Sequence, residues 1–300
     1  MIRLITLVLI LAVSCTKPLE IELMESQPKL VINGLINPDE NVNVNISTTA
    51  SITDTNWYFI NDASIELFED NIFIGNLDFI SKGSYQINYK PRRNAQYTLK
   101  LSNINYNDVY AIDTIPTQVS ISSCYFTFPV GLNEDGSPYY EATIIFKDPK
   151  DQINYYELIF FKSNTGDSKS YIHEITTNDL SIINEGNTDY YPATLFFTDE
   201  LFNGNTHELK VRYTNGYTLN TDGSYYPVSN SYVTLRSISR SYYLYRKYWT
   251  RHLFNQTIEE DLIGTFMKGE TIEMYSNIHN GYGIFAGYCE DTKELKLISH

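Results

Sequence analysis

Short runs in which apolar and polar residues alternate one for one set the strongest limit on what this chain can become. Val42, Val44 and Ile46 alternate with Asn43, Asn45 and Ser47, and Tyr97, Leu99 and Leu101 alternate with Thr98, Lys100 and Ser102. Leu209, Val211 and Tyr213 alternate with Glu208, Lys210 and Arg212. A period of two places every apolar side chain on one face of a strand and every polar one on the other, so these runs need a partner sheet over their dry face. Similar runs recur at Leu30–Ile32, Ile65–Leu67, Ile72–Leu77, Tyr85–Tyr89 and Asp108–Ile115, separated by turn sequences such as Asn37-Pro38-Asp39 and Glu69-Asp70-Asn71. About seven short strands in residues 28–117 predict a β-sandwich of immunoglobulin-like, fibronectin-III-like or transthyretin-like type.

Pro116 biases the residue before it away from helix, and the segment 114–117 reads as a domain boundary. Residues 118–300 repeat the pattern with strands at Val119–Phe128, Tyr140–Phe146, Tyr155–Phe161, Ala193–Thr198, Glu208–Tyr213 and Ser231–Ile238, then near Ile272–Tyr275, Gly283–Tyr288 and Leu295–Ile298. The expected class is therefore mainly β, with two tandem sandwiches. The second carries one helix near 239–255: Ser239 can cap it, and Arg240–Asn255 contains neither Gly nor Pro. Tyr242, Tyr245, Trp249 and Leu253 form its apolar stripe at three- and four-residue spacing. With 26 Tyr and 15 Phe, the composition supports sheet. A formal charge of −14 excludes general nucleic-acid binding, which needs a basic face.

The first residues address the chain. Met1–Cys15 holds Arg3, an apolar run from Leu4 to Val13 broken only by Thr6, and small residues at Ala12 and Ser14 before Cys15. The run is half the length of a membrane-spanning helix and fits a signal peptide. A cysteine at the cleavage point resembles the bacterial lipobox. Residues 1–14 would then be removed, and Cys15 would carry acyl chains contributing about 0.8 kcal/mol of membrane affinity per CH₂. Residues 15–27, with Pro18, Glu20, Glu22 and Glu25, read as a tether. An ordinary secretory signal with a coincidental cysteine, or an apolar first strand, is the alternative. Two cysteines remain, Cys124 and Cys289; export permits a disulfide between them, and two buried free thiols are the other reading.

The chain offers little chemistry. Its histidines, His173, His207, His252, His279 and His300, are scattered singly, and Thr177 stands where a zincin motif starting at His173-Glu174 would need its second histidine. No metal site and no cofactor are expected. Asp148 with Asp151, and Asn220 with Asp222 and Gly223, read as turn chemistry rather than calcium loops. There is neither a Gly-x-Ser-x-Gly elbow nor a phosphate-binding loop. No catalytic residue is assigned, and the protein reads as a non-enzyme.

Two surface features stand out as binding candidates. Arg240, Arg246, Lys247 and Arg251, with Arg236, make a basic stretch in an acidic chain and could dock an anionic partner; the alternative is that they neutralise acids on the same molecule. Trp57 and Tyr58, followed by Phe59, lie in a predicted loop where aromatic faces could take a glycan or a peptide; packing between the two domains is the alternative.

Several stretches together resemble one family. They are Pro28-Lys29-Leu30-Val31-Ile32-Asn33-Gly34, Asn154-Tyr155-Tyr156 after Asp148-Pro149, and Phe197-Thr198-Asp199-Glu200-Leu201-Phe202-Asn203-Gly204. Ser239-x-x-Tyr242 and Ser276-Asn277-Ile278-His279-Asn280-Gly281-Tyr282-Gly283-Ile284-Phe285-Ala286-Gly287-Tyr288 complete the set. They are similar to the Bacteroidota lipoproteins grouped as domain of unknown function 4249. That resemblance implies an outer-membrane lipoprotein anchored to lipid through acylated Cys15, in either leaflet. It also implies an accessory role beside a TonB-dependent receptor, and it supplies no catalytic residues; with the loop aromatics, the expected cargo is a glycan or a peptide. An adhesive or structural surface protein and a glycan or peptide hydrolase are the rival readings. Asn280-Gly281-Tyr282-Gly283 itself reads as a turn entering a buried strand.

Overall fold

The computed structural model describes residues 27–51, 54, 56–163, 169–172, 175–183, 195–228, 230–256 and 272–298. It is mainly β. Eight strands come first: β1 (Leu30–Ile36), β2 (Val42–Thr48), β3 (Ser64–Glu69), β4 (Ile72–Asn76), β5 (Asp78–Ser81), β6 (Ser84–Ile87), β7 (Gln96–Asn103) and β8 (Tyr106–Thr114). They form two layers, β1-β2-β6-β5 and β8-β7-β3-β4. The alternating residues do what their period requires. Val42, Val44, Ile46, Ile65, Leu67, Tyr97, Leu99 and Leu101 are all buried in one cluster, while Asn43, Lys100 and Ser102 face water. Asp70 and Asn71 both take positive φ, so the β3–β4 hairpin closes on a two-residue turn suited to strand twist. At Gly34 a Cβ would lie 2.6 Å from Val44 Cγ1, so only glycine lets β1 sit this close to β2.

The second set comprises β9 (Ile121–Thr127), β10 (Tyr140–Lys147), β11 (Tyr155–Ser163), β12 (Lys169–Tyr171), β13 (Ile175–Thr176), the one-turn helix α1 (Leu180–Ile183), β14 (Leu195–Thr198), β15 (Thr206–Tyr213), the hairpin β16 (Tyr217–Leu219) and β17 (Tyr225–Pro227), and β18 (Ser231–Ile238). The layers β9-β10-β15-β13 and β12/β14-β11-β18 enclose a second core rich in aromatic rings, with Tyr140, Phe146, Tyr156, Phe160, Phe197 and Tyr213 fully or almost fully buried. Helix α2 (Arg240–Gln256), β19 (Ile278–His279) and β20 (Tyr282–Leu297) follow.

Strand β20 ties the two cores together. Its first part pairs in parallel with β1, from Val31 opposite Tyr282 to Ile36 opposite Gly287. Its middle pairs antiparallel with β18, and Lys296 and Leu297 pair in parallel with β9. The segments Gly283–Tyr288 and Leu295–Ile298, expected as two strands, are thus one strand of 16 residues ending at Leu297. Residues 272–277 form no strand; Tyr275 instead packs beside the helix. Ile278, Phe285 and Cys289 lie in the first core, so the chain beyond residue 118 serves both cores. Gly283 makes the β1–β20 junction feasible: its φ is +103°, and a Cβ there would lie 2.0 Å from the Ile32 carbonyl oxygen.

Helix α2 begins where capping predicts, with the Tyr242 amide donating to Ser239 Oγ at 3.1 Å. Its buried aromatic residues are Tyr242 and Tyr243, packed with Phe196, Ile238, Ile284 and Ala286. The buried face thus includes Tyr243, outside the predicted stripe, whose ring lies 4.9 Å from Tyr155 and edge-on to Phe196. Asp113 on β8 fixes the helix start against β20, accepting from the Gly287 amide at 2.9 Å and Ser241 Oγ at 3.2 Å. Burial pushes the Asp113 carboxyl above its ordinary pKa despite these donors.

Candidate functional site

The basic stretch is only partly a surface. Glu157 on β11 falls at a position that alternation assigns to the wet face, yet its side chain is 2% exposed. Arg236 on β18 donates from Nη1 to Glu157 Oε2 at 3.1 Å and from Nε to Glu290 Oε2 at 2.8 Å. Tyr242 donates its hydroxyl to the same Glu157 Oε2 at 3.1 Å. Arg246 reaches in from the helix, with Nε 3.2 Å from Glu157 Oε1, an ion pair in which that N–H lies off the hydrogen-bond line. The Arg236 guanidinium also lies 4.6 Å from the centre of the Tyr288 ring, and Tyr288 accepts from Asn37 Nδ2 at 2.9 Å. The network therefore joins α2, β11, β18, β20 and the turn after β1.

The docking assignment for Arg246 is corrected accordingly. Its charge answers a buried carboxylate of the same molecule, because leaving Glu157 alone at that depth would cost several kcal/mol. Lys247 folds back onto Tyr243, whose hydroxyl lies 3.3 Å from Nζ. Arg240 and Arg251 are exposed.

Trp57 is 81% exposed and Tyr58 47%. They do not pack between the two cores; the Tyr58 hydroxyl donates to Asp54 Oδ2 at 2.7 Å, and the Tyr58 carbonyl accepts from the Thr48 amide, which holds the loop along the end of β2. Cys15 lies outside the described residues, as do His173 and His300.

Cys124 and Cys289 are separate thiols, which corrects the candidate disulfide. Cys289 packs in the first core with Sγ 3.2 Å from the Pro116 carbonyl oxygen, whereas Cys124 Sγ lies 3.5 Å from the Glu294 carbonyl oxygen. Glu294 is five residues further along β20, about 17 Å at ~3.4 Å per residue, far beyond the reach of a disulfide.

The turn acids serve the turns. Asp148 is buried; it accepts from the Gly204 amide at 2.7 Å and from the Tyr156 hydroxyl. Buried Asp199 accepts from Asn154 at 3.1 Å and Asn203 at 2.9 Å. Asp222 accepts from the Ser224 amide and hydroxyl. His207 stacks on Phe202, with Nε2 3.2 Å from Asp179 Oδ2. Among the described residues no group of three or more His, Cys, Asp or Glu could hold a metal ion, and no helix there is long and apolar enough to cross a membrane.

Two of the open grooves among the described residues bear on binding, and both escaped the sequence reading. One, about 320 Å³, lies among Phe128, Pro129, Tyr225, Tyr226, Leu297 and Ile298. The other, about 260 Å³, lies on the outer face of the β8-β7-β3 sheet, lined by Ser64, Glu66, Lys100, Ser102, Asp108 and Tyr110, with the intervening Leu101 and Val109. Each of these polar residues looks like the ordinary wet face of a strand; only strand register gathers them.

No curated protein matches the chain. A family comparison does match it, over residues 16–294, nearly the whole chain and including most of the strand that joins the two cores. The chain belongs to the family described as Domain of unknown function (DUF4249).

Proposed function

We propose that this is a lipid-anchored protein of the outer membrane that works without catalysis, as an accessory of a TonB-dependent receptor, and binds that receptor or its cargo. The observation that carries the reading is the sequence Leu4–Cys15, an apolar run of signal length ending in small residues and a cysteine. Acylation of Cys15 would hold a β-rich body at the membrane face through the acidic tether. Exposed Arg240 and Arg251 leave cations for anionic headgroups or an acidic partner, while the aromatic side chains of Trp57 and Tyr58 offer contact area at low entropic cost.

The experiment is metabolic labelling with an alkyne fatty acid, followed by membrane fractionation, for the native chain and Cys15→Ala. Label on the native chain only, with outer-membrane recovery lost in the variant, supports the anchor. Unlabelled native protein released to the soluble fraction would remove it and return the chain to an ordinary secreted protein.

A further inference from the structure

We propose that the outer face of the β8-β7-β3 sheet is a binding site for neutral oligosaccharide. The inference relies on the proposed function only for the role of such a sugar as cargo. Strand register assembles the site. Glu66 on β3 lies opposite Lys100 on β7, Lys100 opposite Tyr110 on β8, and Tyr110 opposite His279 on β19. These side chains point outward because Ile65, Leu67, Leu99, Leu101, Val109 and Ala111 between them are buried in the first core. Two residues along, Ser64 lies opposite Ser102, with Asp108 beside them in the same groove.

The groove has the two surfaces a pyranose needs. One face of Tyr110 is stacked on His279, with centroids 4.6 Å apart and planes 14° from parallel. Tyr110 lines the groove and His279 does not, so the histidine backs the tyrosine ring from outside it. A flat, already oriented ring suits the apolar C–H face of a sugar. Around it stand two carboxylates, an ammonium and two hydroxyls, which together accept and donate as sugar hydroxyls require. Among the described residues, none of the Glu66, Asp108, Ser64 and Ser102 side chains makes a hydrogen bond. The Lys100 ammonium is held 4.5 Å from the Phe68 ring centre, at one wall.

Charge and backbone select the ligand class. Two carboxylates against one ammonium disfavour uronates, sulfated sugars and nucleotides. Strands β3 and β7 are each paired on both sides, and β19 covers β8 at Tyr110 and Ala111, so the groove between them presents side chains rather than a strand edge to a ligand. At about 260 Å³ the groove lies near the lower end of small-molecule sites, sized for a sugar ring rather than a folded partner.

The test is calorimetric titration of the full-length lipidated protein in detergent with neutral cello-, malto-, xylo- and mannohexaose, and with hexagalacturonate as the anionic counterpart. At least one neutral hexaose is expected to bind and hexagalacturonate is not. Tyr110→Ala should weaken that binding at least 10-fold and Asp108→Asn several-fold, while Trp57→Ala leaves it unchanged. Binding by none of the neutral sugars, preference for hexagalacturonate, or affinity that Asp108→Asn leaves intact would overturn the assignment, as would unchanged affinity in a Tyr110→Ala protein of normal thermal midpoint. Receptor co-purification with Tyr110→Ala separates the two readings. A receptor captured without sugar binding by the native chain sinks only the oligosaccharide site, and sugar binding without a receptor sinks only the accessory role.

Discussion

Replacing Glu157 by Gln keeps shape and removes charge, and it should destabilise the protein by about 3 kcal/mol. The magnitude follows from the geometry. Breaking a buried ion pair by neutralising one partner costs roughly 3–5 kcal/mol, because the other charge stays behind in a poor solvent. Arg236 retains Glu290 at 2.8 Å, which places the loss at the lower end of that range. For a protein of this size about 3 kcal/mol corresponds to roughly 6–12 °C in thermal midpoint. Differential scanning calorimetry reads it directly. The shift should persist in 1 M salt, since screening hardly reaches a carboxylate that is 2% exposed. Adding Arg246→Met to Glu157→Gln should cost less than the sum of the two single changes, because both residues belong to one ion pair. A midpoint lowered by less than about 2 °C, or a loss abolished by salt, would refute the view that this network holds the helix onto the sheets.

Gly283→Ala should cost at least about 1–3 kcal/mol from its backbone angle alone, and hydrogen exchange should rise in β1 and the start of β20 while β9 and β10 stay protected. Glu69 is buried, which raises its pKa, but donors from Tyr89, Tyr97 and Arg92 outweigh burial and hold it below the ordinary value of 4.5. Its stabilisation is therefore complete above pH 4.5 and lost as pH falls through the lower folded value; urea midpoints measured from pH 6 to 3 should fall less steeply in Glu69→Gln than in the native chain. Burial pushes the Cys289 thiol up to about 11, so native protein at pH 8 should resist alkylation there, react faster at partly exposed Cys124, and label both positions only after denaturation. A Cys124–Cys289 bridge seen by non-reducing peptide mapping would contradict the fold.

Local pattern revealed most of the strands and little of their pairing. The alternation at 42–46, 97–101 and 209–213 and the cap at Ser239 reported local geometry, and the structure matches each of them. Long-range pairing left no such mark. That β20 would run parallel to β1 depends on residues some 250 positions apart, and the clue was only Gly283, which looked like part of a turn. Glu157 looked solvent-facing because its neighbours alternate correctly; its burial comes from Arg236 and Arg246, which also supplied the apparent surface patch. The sheet-face groove was illegible for the same reason, since Glu66, Lys100 and Tyr110 meet only through register.

The most direct test of the proposed accessory role is a detergent pull-down of the full-length native chain beside Cys15→Ala, with mass spectrometry of whatever accompanies it. The account predicts a stoichiometric β-barrel receptor with the native chain, depleted in Cys15→Ala. Recovery of the chain alone from both samples would contradict it.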